Sequence, residues 1–452
     1  MAYLWLIILL VLIIVILEIS AYRRQVLLNQ DLLTKLHNRR WAIDRINRML
    51  RSGKPCAVAF MDIDDFKDIN DFVGHMNGDR LLTGIAERIG EIERGKWILC
   101  RIGGDEFVGI FEKTASTEAE RICRKILSSF EEPFMLNGSR VSLTASIGIA
   151  RSPEDTGNGD DIFSCADIAM YAAKKNGKNK LQIFSGELRE RLERKKTVSM
   201  LLSDAIEENG FSIVFQPFFC AGTGSLCGAE ALLRMKNSLS FPDEFIPVAE
   251  ENRSIVQIGR IVAELVIRQI AEWNSRNMPR IVITMNFSNV QLQDTFYPEY
   301  LGFLLKKYNV PVSELQLEMT ESVYLNRVDE TRNFLRRLSD LGVQIVLDDF
   351  GTGYSSISYL NYVNFRSVKL DKSLMDRFLQ TGEDGMLDGI VNMIHSLNMK
   401  VIAEGVEKEE QADALTYIGC DYIQGFLYAK PMTSREMETL MQNENREKCA
   451  VS

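Results

Sequence analysis

The stretch LQLEMTESVYLNRVDETRNFLRRLSDLGVQIVLDDFGTG, residues 315–353, reads as one strand–helix–strand unit. LQLEMTE and QIVLDDFG are short apolar runs of strand length, and ETRNFLRRLSDLG between them has helical spacing. Strands joined through a helix run parallel. The same rhythm continues on both sides. RIVITMNFS, RSVKLD, KVIAEGVE and YIQGFLY read as strands, and AELVIRQIAEWNSR and DGIVNMIHSLN as helices. More than six such units between residue 211 and about 440 fit an α/β fold, a closed TIM-like βα barrel, better than an open doubly wound sheet.

A barrel of this kind carries its active site at the C-terminal ends of the strands. There the chain places Glu230 in GAEALLRM, Asn286 in TMNFSN, Glu318 and Glu321 in LEMTES, and Asp348 and Asp349 in LDDFGTG. The later strands add Lys369 in VKLDK, Glu404 in AEGVE and Gln424 in IQGF. Any one of these acids alone would serve as a helix cap. A polar group at each successive strand end needs another reason, because buried carboxylates repel one another and resist desolvation unless cations sit among them. An oxygen-donor set with one Asn and no His points to Mg²⁺ or Mn²⁺ rather than Zn²⁺. Metal-assisted hydrolysis is the reaction class that follows.

The segments EALLR, NFSNVQL, EMTES, DDFGTGYSS, KLDK, AEGVE and QGF occur in this order across nearly all of 200–435. In that order they closely resemble the EAL-domain phosphodiesterases. The resemblance implies hydrolysis of cyclic di-GMP to the linear dinucleotide pGpG. It implies that Glu230, Asn286, Glu318 and Asp348 hold a metal ion and that Asp349 helps with a second. Lys369 and Glu404 would orient and deprotonate the attacking water, and Glu321 would hold the active-site loop. Gln216 in FQPFF, Arg234 and Gln424 would contact the substrate. The family usually has Trp where this chain has Met235, a change beside Arg234 that removes no metal ligand.

Residues 31–184 follow a different pattern. AVAFMDI (57–63), WILCRI (97–102), FVGIF (107–111) and VSLTASIGIA (141–150) read as strands with helical stretches between them. RIGGDEFVGI, residues 101–110, reads as a hairpin whose tip is glycine followed by two acids. The mixture predicts an α+β domain on an antiparallel sheet. Glycines at a hairpin tip admit a bulky charged ligand to the backbone. FMDIDDFKDIND adds Asp62 and Asp64 at strand spacing, and Lys67 as a phosphate partner.

With DLLTKLHNRR, DIDDFKDINDFVGHMNGDRLL, ASIGIA and ADIAMYAAKKNGKN, the hairpin resembles the GGDEF diguanylate cyclases over 31–180. The resemblance implies a nucleotide-cyclase-like sheet that binds GTP and makes cyclic di-GMP from two GTP molecules. Asp62, the backbone of Ile63 and Asp105 would bind Mg²⁺, and Glu106 would assist deprotonation of the 3′-hydroxyl. Asn70 and Asp79 would read guanine, and Phe66, Lys67 and Lys174 would contact the triphosphate. Lys178 stands where the family usually has Arg, which keeps charge but loses bidentate geometry. One domain binds one GTP, so synthesis needs two domains facing each other and predicts a homodimer. Many relatives carry an R-x-x-D product-binding motif before the hairpin. Here that segment is RGKW, with Arg94 present and Trp97 in place of the acid. Trp97 offers only a donor and is expected to pack at the strand start.

Residues 185–209 read as a charged helical linker, and 441–452 as a polar tail. The net charge of −9 argues against binding a nucleic acid polymer. The eight cysteines show no metal or redox spacing and are expected to be free thiols. AYLWLIILLVLIIVILEISA, residues 2–21, has one charge, Glu18, and is long enough to cross a bilayer. Arg23 and Arg24 follow it, so the expectation is a single-pass anchor in the inner membrane, a helical stalk over 22–30, and both domains in the cytoplasm. A cleaved signal peptide fits less well, since the basic residues lie after the apolar run. Phosphodiesterase is the expected dominant output. A net cyclase, a bifunctional switch and a catalytically silent nucleotide receptor are the alternatives.

Overall fold

The computed structural model describes residues 12, 13, 15, 28–112, 116–156, 159–236, 240–321, 328–351, 365–381 and 384–451. Most of the expected anchor and stalk lies outside these residues. Among the described residues no helix is long and apolar enough to cross a membrane. The chain divides into two compact units, residues 1–194 and 195–452.

The first unit is built on β1 (Cys56–Ile63), β2 (Ile98–Gly103), β3 (Glu106–Glu112), β4 (Phe134–Leu136), β5 (Ser139–Val141), β6 (Ala145–Ser152) and β7 (Leu181–Ile183). Five of them form one sheet in the order β2-β3-β1-β6-β7, while β4 and β5 pair as a separate hairpin. Every residue of the central strand β1 is buried, because helices cover both faces. Its alternate side chains feed two cores. Ala57, Ala59, Met61 and Ile63 pack on one side, and Cys56, Val58 and Phe60 on the other. Gly148 of β6 admits the helix Gly159–Lys175 at close range, since a Cβ there would lie 2.0 Å from the Met170 nitrogen and 2.2 Å from the Ala166 oxygen.

Two expectations for this unit are corrected. The run 141–150 is not one strand: Val141 ends β5, and the sheet strand begins at Ala145. The sheet is not wholly antiparallel either. β7, unmarked in the sequence reading, pairs parallel with β6, and the helix Gly159–Lys175 between them supplies the crossover a parallel pair requires.

The second unit closes a barrel from β8 (Phe211–Cys220), β9 (Leu226–Met235), β10 (Val282–Asn286), β11 (Leu315–Thr320), β12 (Gln344–Phe350), β13 (Phe365–Leu370), β14 (Lys400–Ala403) and β15 (Tyr422–Ile423). All neighbours are parallel except β8, which runs antiparallel to both β9 and β15. The cause is local. Only residues 221–225, with Gly224 at φ 66°, join β8 to β9, and so short a loop makes a hairpin but not a crossover. The expected linker is one helix, Gly186–Glu207, but Val198, Leu202 and Ala205 from its second half are buried in the barrel core. Nor is the end of the chain a separate tail, since helix Ser434–Val451 runs through it.

Candidate active site

The barrel gathers the predicted polar residues around one buried ammonium. Lys369, fifth of six residues in β13, is 2 % exposed. Its Nζ lies 2.9 Å from Glu230 Oε2, 2.8 Å from Glu318 Oε2 and 3.7 Å from Asp348 Oδ1, and it also pairs with Glu404 Oε1. Asn286 donates to Glu230 Oε1 at 2.7 Å, and Gln424 to Glu230 Oε2 at 2.9 Å. The register explains the convergence. Gln216 of β8 lies directly across from Glu230 of β9, and Asn286 of β10 from Glu318 of β11. Glu230 is not a strand-end residue as expected. It sits mid-strand, because β9 continues five residues further to Met235.

Asp348 and Asp349 stand where the β12–β13 register shifts, between Leu347 and Phe350. Asp349 has φ 55°, a left-handed conformation rare outside glycine and enriched at functional positions. A regular strand would turn two successive carboxylates to opposite faces, and the bulge relaxes that rule. Glu321 accepts a hydrogen bond from the Gly351 amide at 3.1 Å and so ties the start of the segment after β12. That segment, residues 352–364, lies outside the described residues.

Four carboxylates share one ammonium, and their protonation follows from burial and mutual charge. Burial raises Glu318 well above the usual carboxylate range, and repulsion from Glu230 adds to this against the pull of Lys369. Glu404 is pushed up to about 7, chiefly by burial, with Lys369 opposing. Burial works against Glu230 too, but Lys369, Gln424 and Asn286 together hold its carboxyl below the usual range. Lys369 itself is raised well above its ordinary value, since Asp348, Glu230, Glu318 and Glu404 outweigh the burial that would lower it.

The donor set suits a hard divalent cation: carboxylate oxygens, an Asn amide, and more negative charge than one lysine balances. Yet among the described residues no three acids, histidines or cysteines form a ready-made cage. The carboxylates close on Lys369 instead. Beside them opens a cavity of about 310 Å³ lined by Gln216, Glu230, Asp348, Lys369, Glu404 and Gln424. A second cavity of about 580 Å³ includes Arg234, Asn286 and Glu318 with Pro242, Ile246 and Ile255. Both fall in the size range of small-ligand pockets. The sequence reading missed Phe426, Lys372 and Glu407, which also line the smaller cavity. Phe426 lies inside the quoted QGF segment.

In the first unit Asp62 of β1 faces Glu106 of β3 directly across the antiparallel ladder. Lys174, from helix Gly159–Lys175, reaches Asp62 Oδ1 at 2.5 Å. Burial pushes Asp62 up to about 6, with Lys174 opposing and Asp105 and Glu106 adding to the rise. Glu106 is also raised, first by burial and then by Asp167 and Asp105. Asp105 occupies the two-residue tip with Gly104, between the paired Gly103 and Glu106. Arg101 braces the tip from below. It donates to the Gly104 carbonyl at 3.0 and 2.7 Å and to Asp31 Oδ1 at 2.9 Å. Side chains added at Gly103 or Gly104 would meet nothing within 4 Å, so the space above the tip is open.

The remaining expected nucleotide contacts divide. Asn70 Oδ1 is buried without a partner, packed against Gly78, where a Cβ would come within 1.7 Å. Lys67 and Asp79 are exposed. Ile63 is fully buried in β1. The Phe66 side chain belongs to the apolar core, at the start of helix Phe66–Val73, and does not reach out to a triphosphate. Lys178 is held by Asp65, Nζ at 2.6 and 2.8 Å from its two oxygens. Asp64 is spent on structure, accepting from Thr144, Ser146 and the Asn179 amide. Trp97 is buried, donates to the Ile92 carbonyl at 2.6 Å and stacks on Phe111.

Comparison with known proteins adds the following. Residues 201–431 match the EAL domain family, and residues 28–180 match the family described as diguanylate cyclase, GGDEF domain. The chain is 35% identical over 418 residues to signaling protein YkoW of Bacillus subtilis, covering 90% of this chain and 52% of that one. It is 35% identical over 415 residues to the bifunctional diguanylate cyclase/cyclic di-GMP phosphodiesterase MucR of Pseudomonas aeruginosa, covering 90% and 61%. It is 33% identical over 422 residues to cyclic di-GMP phosphodiesterase PdeR of Escherichia coli, covering 92% and 64%. The chain thus spans between half and two thirds of the length of these relatives. Among solved structures, the PaMucR phosphodiesterase in complex with c-di-GMP aligns with a TM-score of 0.51 at 33% identity, covering 53% of this chain and 99% of that one.

Proposed function

The chain belongs to the proteins that carry a GGDEF and an EAL domain in tandem, and from that premise we propose that it turns over cyclic di-GMP. The barrel hydrolyses it to pGpG, and the first unit binds GTP and makes cyclic di-GMP when two such units meet. The observation that carries the reading is the buried ring of Glu230, Glu318, Asp348 and Glu404 around Lys369. So concentrated a buried charge has no structural purpose that apolar side chains would not serve better.

Mg²⁺ or Mn²⁺ bound by Glu230, Asn286, Glu318 and Asp348, with Asp349 toward a second ion, would supply Lewis-acid stabilisation of charge on the phosphodiester. The chain's own groups do the rest. Glu404, pushed up to about 7, takes and releases a proton near neutral pH, as a general base requires. Lys369 holds that carboxylate in place. Gln216 and Gln424 offer amides on the wall of the smaller cavity, and Arg234 a guanidinium in the larger one. Glu321 holds Gly351, directly after β12, through its amide.

In the first unit Asp62, Asp105 and the Ile63 carbonyl would hold the cation of Mg–GTP, and Glu106 would draw the proton from the attacking hydroxyl. Lys174 would exchange its hold on Asp62 for phosphate oxygens. Hydrolysis completes within one chain, whereas synthesis requires a homodimer, so phosphodiesterase is the dominant output. An inner-membrane anchor over residues 2–21, with both domains on the cytoplasmic side, belongs to the same proposal and is supported by the length of the apolar run and the Arg23–Arg24 flank. The direct test supplies the full chain in detergent with cyclic di-GMP and either metal, and separates the products by chromatography. pGpG should form, and Glu404→Gln should abolish it while cyclic di-GMP still binds. No product from the unaltered chain with either metal would overturn the proposal.

A further inference from the structure

Six residues separate Cys220 from Cys227, a spacing with no redox signature in the sequence. The fold makes them neighbours. Cys220 ends β8 and Cys227 is the second residue of β9, on the two sides of the hairpin loop. The Cys220 amide donates to the Ser225 carbonyl at 2.9 Å, closing the loop. A register shift between Phe218 and Phe219 then sets the pair diagonally across the ladder. Cys227 Sγ donates to that same Ser225 carbonyl at 3.5 Å, so one oxygen joins the Cys227 thiol to the Cys220 backbone.

The other described cysteines are unlike these two. Cys56, Cys100, Cys123, Cys165 and Cys420 are buried, whereas Cys220 and Cys227 are both half-exposed. Burial pushes Cys56 up to about 11 and Cys100 and Cys420 up to about 12, where a thiol is inert. Cys220 moves the other way. The Thr223 hydroxyl and the backbone amides of Thr223 and Gly222 turn toward its sulfur and favour the thiolate. A loop that presents donors to a sulfur, beside a second accessible sulfur, is the arrangement of a reactive thiol and its resolving partner.

We propose that Cys220 and Cys227 form a dithiol site that a peroxide oxidises to an intrachain disulfide at the base of the β8–β9 hairpin. The Cys220 thiolate attacks one peroxide oxygen, giving a sulfenic acid and releasing the other oxygen as water after proton uptake. The Cys227 thiol then attacks the Cys220 sulfur, the S–O bond breaks, and a second water leaves. Two thiols supply the two electrons that reduce one hydrogen peroxide to two waters. The second step is intramolecular and held by the hairpin, so it outruns further oxidation of the sulfenic acid. The hairpin is also the element that carries Gln216, Glu230 and Arg234. The thiols sit three and four residues from the ring, roughly 10–13 Å along the strands, outside the hydrolytic chemistry. The site stands or falls independently of that chemistry.

The test treats the full chain with stoichiometric hydrogen peroxide, unfolds it in denaturant while blocking the remaining thiols with N-ethylmaleimide, and maps peptides by mass spectrometry without reduction. The expected result is one cross-linked peptide joining Cys220 and Cys227, while Cys56, Cys100, Cys123 and Cys420 remain alkylated. In Cys227→Ser, Cys220 should instead be trapped by dimedone as the sulfenic acid. Should that variant not fold, the unaltered chain still decides the matter, because iodoacetamide must label Cys220 at least tenfold faster than the buried cysteines. Full alkylation of both residues after peroxide, oxidation of each without a cross-link, or labelling of Cys220 no faster than Cys100 would overturn the proposal.

Discussion

Replacing Lys369 with Met removes the one ammonium that four carboxylates share, and two consequences follow with opposite signs. Lys369 is 2 % exposed, and two of its partners, Glu318 and Glu230, are 2 % and 6 % exposed. Breaking a buried ion pair from one side costs about 3–5 kcal/mol, because the abandoned charges have no water to turn to. At roughly 2–4 °C per kcal/mol for a domain of this size, the metal-free barrel should melt about 6–20 °C lower. A divalent cation, by contrast, gains. It no longer competes with the ammonium for Glu230, Glu318 and Asp348, so Mn²⁺ should bind at least tenfold tighter, about 1.4 kcal/mol. Melting in EDTA and calorimetric titration with Mn²⁺ measure the two effects separately. The deficit in EDTA should also shrink between pH 7 and pH 5. Glu318 and Glu404 have raised values in the folded state, so folding binds protons and stability returns as pH falls. Unchanged melting in EDTA together with equal or weaker Mn²⁺ binding would refute the reasoning, whatever happens to hydrolysis.

Other outcomes test the first unit. In the Glu404→Gln background, GTP should yield cyclic di-GMP by chromatography at high protein concentration, and Asp105→Ala should reduce it at least a hundredfold; GTP bound but never converted would make this unit a sensor. Asp62→Asn should abolish that synthesis yet raise the unit's stability above pH 6 by up to about 3 kcal/mol, because Asp62 is pushed from 3.8 up to about 6 and the stability its proton confers is lost as pH rises through that value. Chemical denaturation at pH 4 and pH 7.5 reads this directly, and equal stability of the two proteins at pH 7.5 counts against it. Cyclic di-GMP titrated into the hydrolysis-dead chain should not inhibit GTP turnover through Arg94, which already pairs with Glu91, or Trp97, whose N–H is given to Ile92; strong inhibition that disappears in Arg94→Ala would show otherwise.

What the sequence makes legible here is whatever repeats. Strand–helix alternation announced the barrel, because each unit carries its own period and its own polar terminus. The apolar run in AVAFMDI likewise gave β1, whose two faces feed two cores. What stayed hidden depends on partners far along the chain. Lys178 has the charge to meet a phosphate, but Asp65, 113 residues away, takes its ammonium. Phe66 follows a run of acids, yet its ring fills the core. β7 is three residues with no periodicity of its own, and only β6 makes it a strand. The antiparallel β8 was readable in principle, since five residues cannot carry a crossover, but its apolar run FSIVFQPFFC gives no direction.

The same distinction separates the composition of the ring from its electrostatics. Each acid could be named from its place in or after a strand, but no local pattern says that Glu230 is held ionised while Glu318 and Glu404 are driven toward the neutral form. That division comes from place. Glu230 receives Asn286, Gln424 and Lys369 together. Glu404 follows directly after β14 and has Lys369 alone against burial and the fields of Asp348 and Glu230. Carboxylates of equal intrinsic acidity are thereby pushed apart, one suited to remaining a permanent anion and another to exchanging a proton near neutral pH. Exchanging their surroundings would exchange their roles. Gln424→Leu tests this without touching either acid: it removes one donor from Glu230, so Glu230 should rise, Lys369 should lean further toward it, and Glu404 should lose part of its counter-ion. The pH profile of hydrolysis should then shift upward on its acidic limb. A profile that only scales in height, with both limbs unmoved, would mean that Gln424 acts on the substrate alone.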